Sequence, residues 1–318
     1  MSLLAVVCVR DSASRRPHKW CAEMAGVPFL THVIARLRLA RSVDKIVLAV
    51  PEHNHGKLPE WAVANNLPVV YGPEDDVVER FAEAVHHHAS EGDTIFRAMS
   101  DQPFLDWRSL DFAASAMTAH DWDFLLPLTF DRDPVYGAGL SPWSWRAWKW
   151  IESRSAGEER EHVGMRLRRD LRQFVYGLVD LPHWAFRPYR LEIDTDQDLL
   201  LANSVWQRWR GARGEGQPTL QWVVTMLDRN RDVSMLNQMV EEKTGPYTSF
   251  SVAEQAAWER DYQGRPIVFT DLPSAVGHIE TRSALCQKCK GPLVTIRLGS
   301  KRVKFRCLMC GAEQTDTA

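Results

Sequence analysis

The feature that most narrows the fold of this chain is an alternation that begins at residue 3. Apolar runs of strand length are each followed by a stretch with helical spacing, and the order repeats. Leu3–Val9 precedes Pro28–Arg41, where Phe29, Leu30, Val33, Ile34, Leu37 and Leu39 recur at helical spacing. Asp44–Val50 precedes Lys57–Asn66, and Pro68–Tyr71 precedes Asp76–His88, whose acidic first turn suits the helix dipole. Thr94–Met99 then precedes Trp107–Ala119. Strands separated by helices pair in parallel through right-handed crossovers, so the predicted class is α/β, a doubly wound, mostly parallel sheet. Ligands bind such sheets at the carboxyl ends of the strands. Two loops stand there, Arg10–Lys19 and Ser100–Leu105.

Beyond Ala119 the pattern loosens. Asp123–Leu128 reads as a fifth strand, Tyr136–Gly139 as a loop, and Ser141–Ser153 as a helix rich in tryptophan (Trp143, Trp145, Trp148, Trp150). Aromatic rings at mixed helical spacings pack more often than they stack on bases, so these are read as core or interface. Arg160-Glu161-His162 opens a helical stretch, Gln173–Val179 is strand-like, Arg190–Asp194 reads as a strand ending in an acidic turn, and Leu199–Trp209 as a helix. Gly211–Gln217 has linker composition. The chain is therefore divided into a nucleotide-binding unit over 1–211, an arm over 212–282 with short helices at Thr219–Met226 and Met235–Glu242, and a small unit over 283–318.

The length of 318 residues suits about two domains. A formal net charge of -2 excludes a basic whole-chain footprint and confines any nucleic-acid contact to a local patch. Leu3–Val9 is too short for a secretion signal, and no apolar run approaches the roughly 20 residues that span a bilayer. A cytoplasmic protein without membrane contact is expected. The cysteines agree: Cys8 and Cys21 stand apart, and the other four form two CxxC pairs, which favours metal over disulfides. Cys286-x2-Cys289 and Cys307-x2-Cys310, with strand-like Leu293–Leu298 and Arg302–Phe305 between them, have the spacing of a four-cysteine structural Zn2+ site in a zinc ribbon. Metal binding would supply most of the folding free energy of so small a unit.

The loop after the first strand carries Arg10, Arg15, Arg16 and Lys19 with the hydroxyls of Ser12 and Ser14 and a rigid Pro17. Such a set is suited to cradling phosphates, with forked donors from arginine and a point charge from Lys19. Asp101 follows the fourth strand and Asp194 ends the RLEID segment. Each is either a turn or cap residue or a ligand for Mg2+, which takes one or two carboxylates plus substrate phosphates. The two aspartates and the basic loop on one sheet edge say more together than singly. His86, His87 and His88 are consecutive on a helix and share no face, so they are read as an ordinary helix surface, and His53 and His55 are given no role.

These segments resemble a known family. Arg10-x4-Arg15-x-Pro17-x-Lys19, then Gly26-x-Pro28-Phe29-Leu30-x-His32-Val33-Ile34-x-Arg36-Leu37, is similar to the opening of cytidylyltransferases of the spore-coat-polysaccharide type, relatives of the acylneuraminate and ketodeoxyoctonate synthetases. Gly72 to Phe81, Arg97 to Pro103, Arg160 to Val163 and Arg190 to Asp198 resemble further family segments in the same order, from Leu3 to about Trp209. The resemblance implies a nucleotide-diphospho-sugar transferase-like fold and transfer of CMP from CTP to a sugar, sugar acid or related alcohol or phosphate, with loss of pyrophosphate. It implies that Arg10, Ser12, Arg15 and Lys19 hold the triphosphate, Asp101 and Asp194 hold catalytic Mg2+, and Arg80 helps form the nucleotide site. By the same resemblance Arg160, Glu161 and His162 face the acceptor. A general base is still needed: His162 serves if it reaches the acceptor hydroxyl, and a buried structural histidine is the alternative. The chain departs from the family's glycines at Ser12, His18 and Ser100, and Asp11 adds a negative charge beside the cradle.

The competing expectation is a binding module of the same fold that has lost its chemistry and uses the ribbon to contact nucleic acid or a protein. Residues 286–318 hold seven basic and two acidic side chains, but Phe305 is the sole aromatic, which disfavours base stacking. A homodimer stays open.

Overall fold

In the computed structural model the described residues are 2–10, 18–53, 56–127, 134–138, 142–169, 171–213 and 216–240, with strands at 267–268, 293–298, 302–307 and 313–315. The elements are β1 (Leu3–Cys8), β2 (Glu23–Met24), β3 (Val27–Pro28), α1 (Phe29–Leu39), β4 (Lys45–Pro51), α2 (Lys57–Ala64), β5 (Val69–Gly72), α3 (Val77–His88), β6 (Thr94–Met99) and α4 (Trp107–His120). There follow β7 (Phe124–Pro127), α5 (Trp145–Arg154), α6 (Met165–Arg169), β8 (Tyr176–Asp180), α7 (Asp196–Arg213), α8 (Leu220–Arg229), α9 (Arg231–Ser234), β9 (Ile267–Val268), β10 (Leu293–Leu298), β11 (Arg302–Cys307) and β12 (Glu313–Thr315).

The alternation gives the parallel sheet it predicts, in the order β5-β4-β1-β6. Its central strand β1 pairs on one side with β4 (Val6 opposite Val47) and on the other with β6 (Cys8 opposite Met99), all parallel. Because β1 is buried on both faces, Leu3 to Val7 is a continuous apolar run. One face packs Leu4, Val6 and Ile95 against Val78, Phe81 and Val85 of α3 and Trp148 and Ile151 of α5. The other packs Leu3, Ala5, Val7 and Phe96 against Leu30, Val33 and Leu37 of α1, Leu58 of α2 and Leu110 of α4.

A second parallel set, β7-β8-β9, continues the sheet. The two sets are joined by Trp143, which forms antiparallel bridges to Ile95 and Phe124. Trp143 N donates to Ile95 O at 2.7 Å and Ile95 N to Trp143 O at 2.8 Å. The expected helix over Ser141–Ser153 therefore starts later, at Trp145, where Ser144 caps it by accepting from Ala147 N at 3.1 Å. The tryptophans are core: Trp148 and Trp143 are buried, and Trp145 and Trp150 pack beside them.

Five further expectations differ from the structure. Residues 171–173 form a 3-10 turn, so β8 begins at Tyr176 and not at Gln173. Arg190–Asp194 is extended but is no ladder strand, because its backbone pairs with loops: Leu191 N donates to Tyr136 O at 2.9 Å and Ile193 N to Asp101 O at 2.9 Å. Arg160 ends a 3-10 turn (Gly157–Arg160) and the helical stretch starts only at Met165. Helix α7 runs through Gly211 to Arg213, and α8 returns to the same core, with Val223, Val224 and Leu227 packed among Phe29, Phe104, Leu191 and Val205. After Ser234 the chain is in turns through Met239, not in the expected helix.

The strands β10, β11 and β12 form a separate antiparallel sheet, Thr295 opposite Phe305 and Phe305 opposite Gln314. The hairpin expected between the two CxxC pairs is thus present. Cys286, Cys289 and Cys310 lie outside the described residues, and Cys307 ends β11. Among the described residues no helix is long and apolar enough to cross a membrane.

Candidate functional site

Two groups of polar side chains meet the carboxyl edge of β1 and β6. The first is acidic. Asp101 follows β6 directly in a tight loop, where Gln102 N donates to Met99 O at 3.3 Å and Leu105 N to Gln102 O at 3.1 Å. Arg36 of α1 holds this loop from below: fully buried, it donates to Leu105 O at 3.2 Å and Pro218 O at 2.8 Å, with Phe104 and Trp107 against its guanidinium. Asp194 arrives from the 190–194 segment. That segment is fixed by Arg190, which donates to Asp194 Oδ2 at 2.5 Å and Asp198 Oδ1 at 3.2 Å and lies over the Tyr136 ring. Asp198 is a turn residue, accepting from the backbone N–H of Asp194 at 3.0 Å and of Thr195 at 2.9 Å.

The two aspartates converge. Lys19 Nζ donates to Asp101 Oδ2 at 2.6 Å and to Asp194 Oδ1 at 2.9 Å, with all three side chains nearly buried. Glu192 joins them: oxygens of Asp101, Glu192 and Asp194 lie within 4.8 Å of one another. Burial, and then the two neighbouring aspartates, push the Glu192 carboxyl up to about 8, with Lys19 opposing. Lys19 moves the other way. Burial favours its neutral form, but the two carboxylates outweigh it and hold the ammonium well above the ordinary lysine range. Gly137 lets the 136–138 loop lie on this segment. Its φ is +83° and a Cβ there would stand 2.6 Å from Glu192 N.

Glu192 escaped the sequence reading. The signal for it was period-2 alternation: residues two apart in extended backbone point the same way, so Glu192 and Asp194 share a face.

This donor set fits a divalent cation. It is three carboxylates at short range, and among the described residues the buried Asp101 Oδ1 has no hydrogen-bond partner.

The second group is mostly cationic. Arg10, half-exposed just after β1, has Nη1 3.9 Å from Glu161 Oε1, and His162 Nε2 is 3.9 Å from Glu161 Oε2. Burial first, then the charges of Arg97 and Arg10, hold His162 below its ordinary pKa against the pull of Glu161. Arg97 of β6 donates to Val163 O at 3.3 Å. Arg80 is 2 % exposed and donates to the carbonyls of Pro73 and, at 3.0 Å, Glu74, which ties α3 to the end of β5. The Nε atoms of Arg80 and Arg97 are buried and have no hydrogen-bond partner among the described residues. Arg160 is engaged elsewhere: it donates to Asp76, the N-cap of α3, and to Ser155 O at 3.3 Å. Ser12 and Arg15 lie outside the described residues.

His18, which stands where a glycine was expected, has φ 53°, ψ 29°, the left-handed conformation that glycine adopts without strain. A non-glycine residue here therefore adopts a backbone conformation that glycine would take without strain.

The chain matches the family model described as MobA-like NTP transferase domain over residues 12–174, just over half its length. It is 29% identical over 112 residues to a 3-deoxy-manno-octulosonate cytidylyltransferase of Anaeromyxobacter sp. (strain Fw109-5), which is 35% of this chain and 45% of that protein. It is 28% identical over 106 residues to the enzyme of that name from Yersinia pseudotuberculosis serotype O:1b (strain IP 31758), 33% of this chain and 42% of the relative. The matches therefore span less than half the length of these relatives. Among solved structures, a cytidylyltransferase from Leptospira borgpetersenii serovar Hardjo-bovis (strain JB197) aligns with TM-score 0.67 and 20% identity over 76% of this chain and 100% of that one. A CMP:2-keto-3-deoxy-manno-octonic acid synthetase solved with CTP aligns with TM-score 0.51 and 13% identity, over 65% and 99%. At these identities the likeness to solved structures is one of fold.

Proposed function

Because the chain belongs to the family of MobA-like NTP transferase domains, we propose that it transfers a cytidylyl group from CTP to a hydroxyl of a sugar, sugar acid or related acceptor and releases pyrophosphate. The observation that carries this reading is the convergence of Asp101, Glu192 and Asp194 with Lys19 at the carboxyl edge of the parallel sheet, where such folds bind ligands. The names of the curated relatives supply the choice of CTP and of a sugar-acid-like acceptor.

Asp101, Asp194 and Glu192 would hold Mg2+, which when bound neutralises charge on a triphosphate and its leaving pyrophosphate. The chain's own residues do the rest. Lys19 and Arg10, with Arg15 and the hydroxyl of Ser12 from the same loop, would hold the triphosphate by charge and hydrogen bonding, and positioning with charge neutralisation suffices for a displacement at phosphorus without a covalent nucleophile. Arg80 and Arg97, whose buried Nε atoms have no partner among the described residues, would help form the nucleotide site. His162, whose pKa burial lowers, would take the proton of the acceptor hydroxyl at its ring nitrogen, and Glu161 beside it would orient the acceptor. Arg160 supports that segment from Asp76. The cysteines Cys286, Cys289, Cys307 and Cys310 would hold a structural Zn2+, a reading supported by the hairpin β10–β11 between the two pairs.

The test is binding and turnover with the full chain. Isothermal titration with CTP and Mg2+ is expected to show metal-dependent binding that Asp101→Asn abolishes while the circular dichroism spectrum is kept. Pyrophosphate release is expected with CTP and a member of a sugar-acid panel. Equal binding of all four nucleotides would remove the cytidylyl assignment, and metal-independent binding unaffected by Asp101→Asn would remove the site.

A further inference from the structure

The acidic cluster already contains a positive charge. The Lys19 ammonium contacts one oxygen of Asp101 and one of Asp194, at 2.6 and 2.9 Å, and these belong to the carboxylates a divalent ion needs. Its place is built into the chain and is no chance swing of a surface side chain: Lys19 is 8% exposed. It opens a short 3-10 turn in which Cys21 N donates to His18 O at 3.2 Å and Ala22 N to Lys19 O at 3.0 Å, behind the left-handed His18. Two buried carboxylates brought this close are costly without a counter-charge, so the ammonium is what allows the site to stand assembled before a metal arrives. A divalent ion and an ammonium cannot hold the same oxygens at contact distance, since their mutual repulsion there is large in a site this dry.

We propose that Lys19 is a built-in counter-cation that is exchanged for the metal: the incoming divalent ion takes Asp101 and Asp194, and the displaced ammonium turns to the anion that accompanies the ion. Free metal must therefore expel Lys19 into solvent, whereas a metal–polyphosphate complex supplies a cation for the carboxylates and an anion for the ammonium in one step. The two bind as a unit. The exchange also reconciles the phosphate-binding role that the sequence resemblance implies for Lys19 with its position on the aspartates.

The polyphosphate half of this scheme rests on the proposed function, but the exchange itself is read with metal alone, so the two fail separately. In a Mn2+ titration of the metal-free full chain followed by electron paramagnetic resonance, Lys19→Met is expected to bind Mn2+ at least about tenfold more tightly than the unsubstituted protein. It is also expected to melt lower without metal and to gain more in melting temperature on adding Mn2+. Equal or weaker Mn2+ binding by Lys19→Met overturns the proposal. Should that variant not fold, the unsubstituted protein decides: acylation of Lys19 by an amine-reactive ester, mapped by peptide mass spectrometry, is expected to rise severalfold at saturating Mn2+, and no rise overturns the exchange. Exchange without any effect of CTP would leave the counter-cation in place and remove the nucleotide reading instead.

Discussion

At the scale of single residues, the site is set by contacts whose removal has a definite sign. Gly137→Ala puts a methyl group 2.6 Å from Glu192 N at a φ of +83°. It is expected to cost about 1–3 kcal/mol in urea denaturation and to weaken Mn2+ binding by moving Glu192. Two buried groups give the metal-free protein a pH signature. Glu192 is pushed up to about 8 from 4.5, so between these values the unfolded chain has lost a proton that the folded chain keeps, and stability falls as pH rises. His32, whose Nε2 donates to Met24 O at 2.9 Å, is pushed down to about 4 from 6.5, chiefly by burial. Across that window the unfolded chain binds the extra proton, and stability falls as pH drops. The two slopes oppose each other between 4.5 and 6.5, and only that of Glu192 persists from 6.5 to 8. Glu192→Gln is therefore expected to flatten the loss of stability between pH 6.5 and 8, a slope of up to ~1.4 kcal/mol per pH unit for one proton, measured by denaturant titration of metal-free protein. An unchanged slope would show that Glu192 ionises normally.

At the scale of elements, the join between β6 and β7 matters most, because β6 carries Asp101 at its end and one residue, Trp143, bridges the two parallel sets. Trp143 is 7% exposed, packs at 6.2 Å on Phe81, and its ring fits against Gly164, where a Cβ would be 2.5 Å away. Both variants keep the backbone bridges, so Trp143→Ala is expected to destabilise the protein by about 3–5 kcal/mol through the lost ring, and Trp143→Phe by less, since an aromatic ring still fills most of the space. Asp76 both caps α3, accepting from Glu79 N at 2.8 Å, and anchors Arg160. Asp76→Ala is expected to cost about 0.5–2 kcal/mol of stability and, by loosening the segment that bears Glu161 and His162, to raise the acceptor KM more than it lowers kcat. A fall in kcat alone would place Arg160 in the chemistry instead.

At the scale of the whole molecule, the parallel sheet and the C-terminal antiparallel sheet are separate sheets, while β9 adds to β8 by the pair Val179 and Ile267. On the proposed function, ending the chain at residue 282 is expected to leave a folded protein that keeps the proposed CTP binding and no longer takes up the proposed Zn2+, read by metal analysis. Ending it at 240 removes β9 as well, uncovers an edge of β8 and is expected to aggregate more readily in light scattering. Much of this architecture could be read beforehand. The strand Thr94–Met99 and the helix starting at Trp107 were placed to the residue at their leading ends, since a run buried on two faces or a helix behind an aspartate cap leaves a local trace. Asp101 and Asp194 were legible for the same reason, each following a short apolar run. Arg190–Asp194 was misread as a ladder strand because extended backbone looks alike whether its partners are a strand or two loops. Glu192 went unnoticed because its neighbours, Asp101 and Lys19, are distant in sequence. Composition and periodicity by themselves determined that this chain forms a parallel α/β sheet with a charged carboxyl edge, because burial patterns repeat over a few residues. Only the tertiary structure decided that Lys19 lies between the two aspartates, that Glu192 is buried beside them so that its carboxyl is pushed up, and that Trp143 closes the sheet, because each depends on long-range contacts and a shared, water-poor environment that no local pattern encodes.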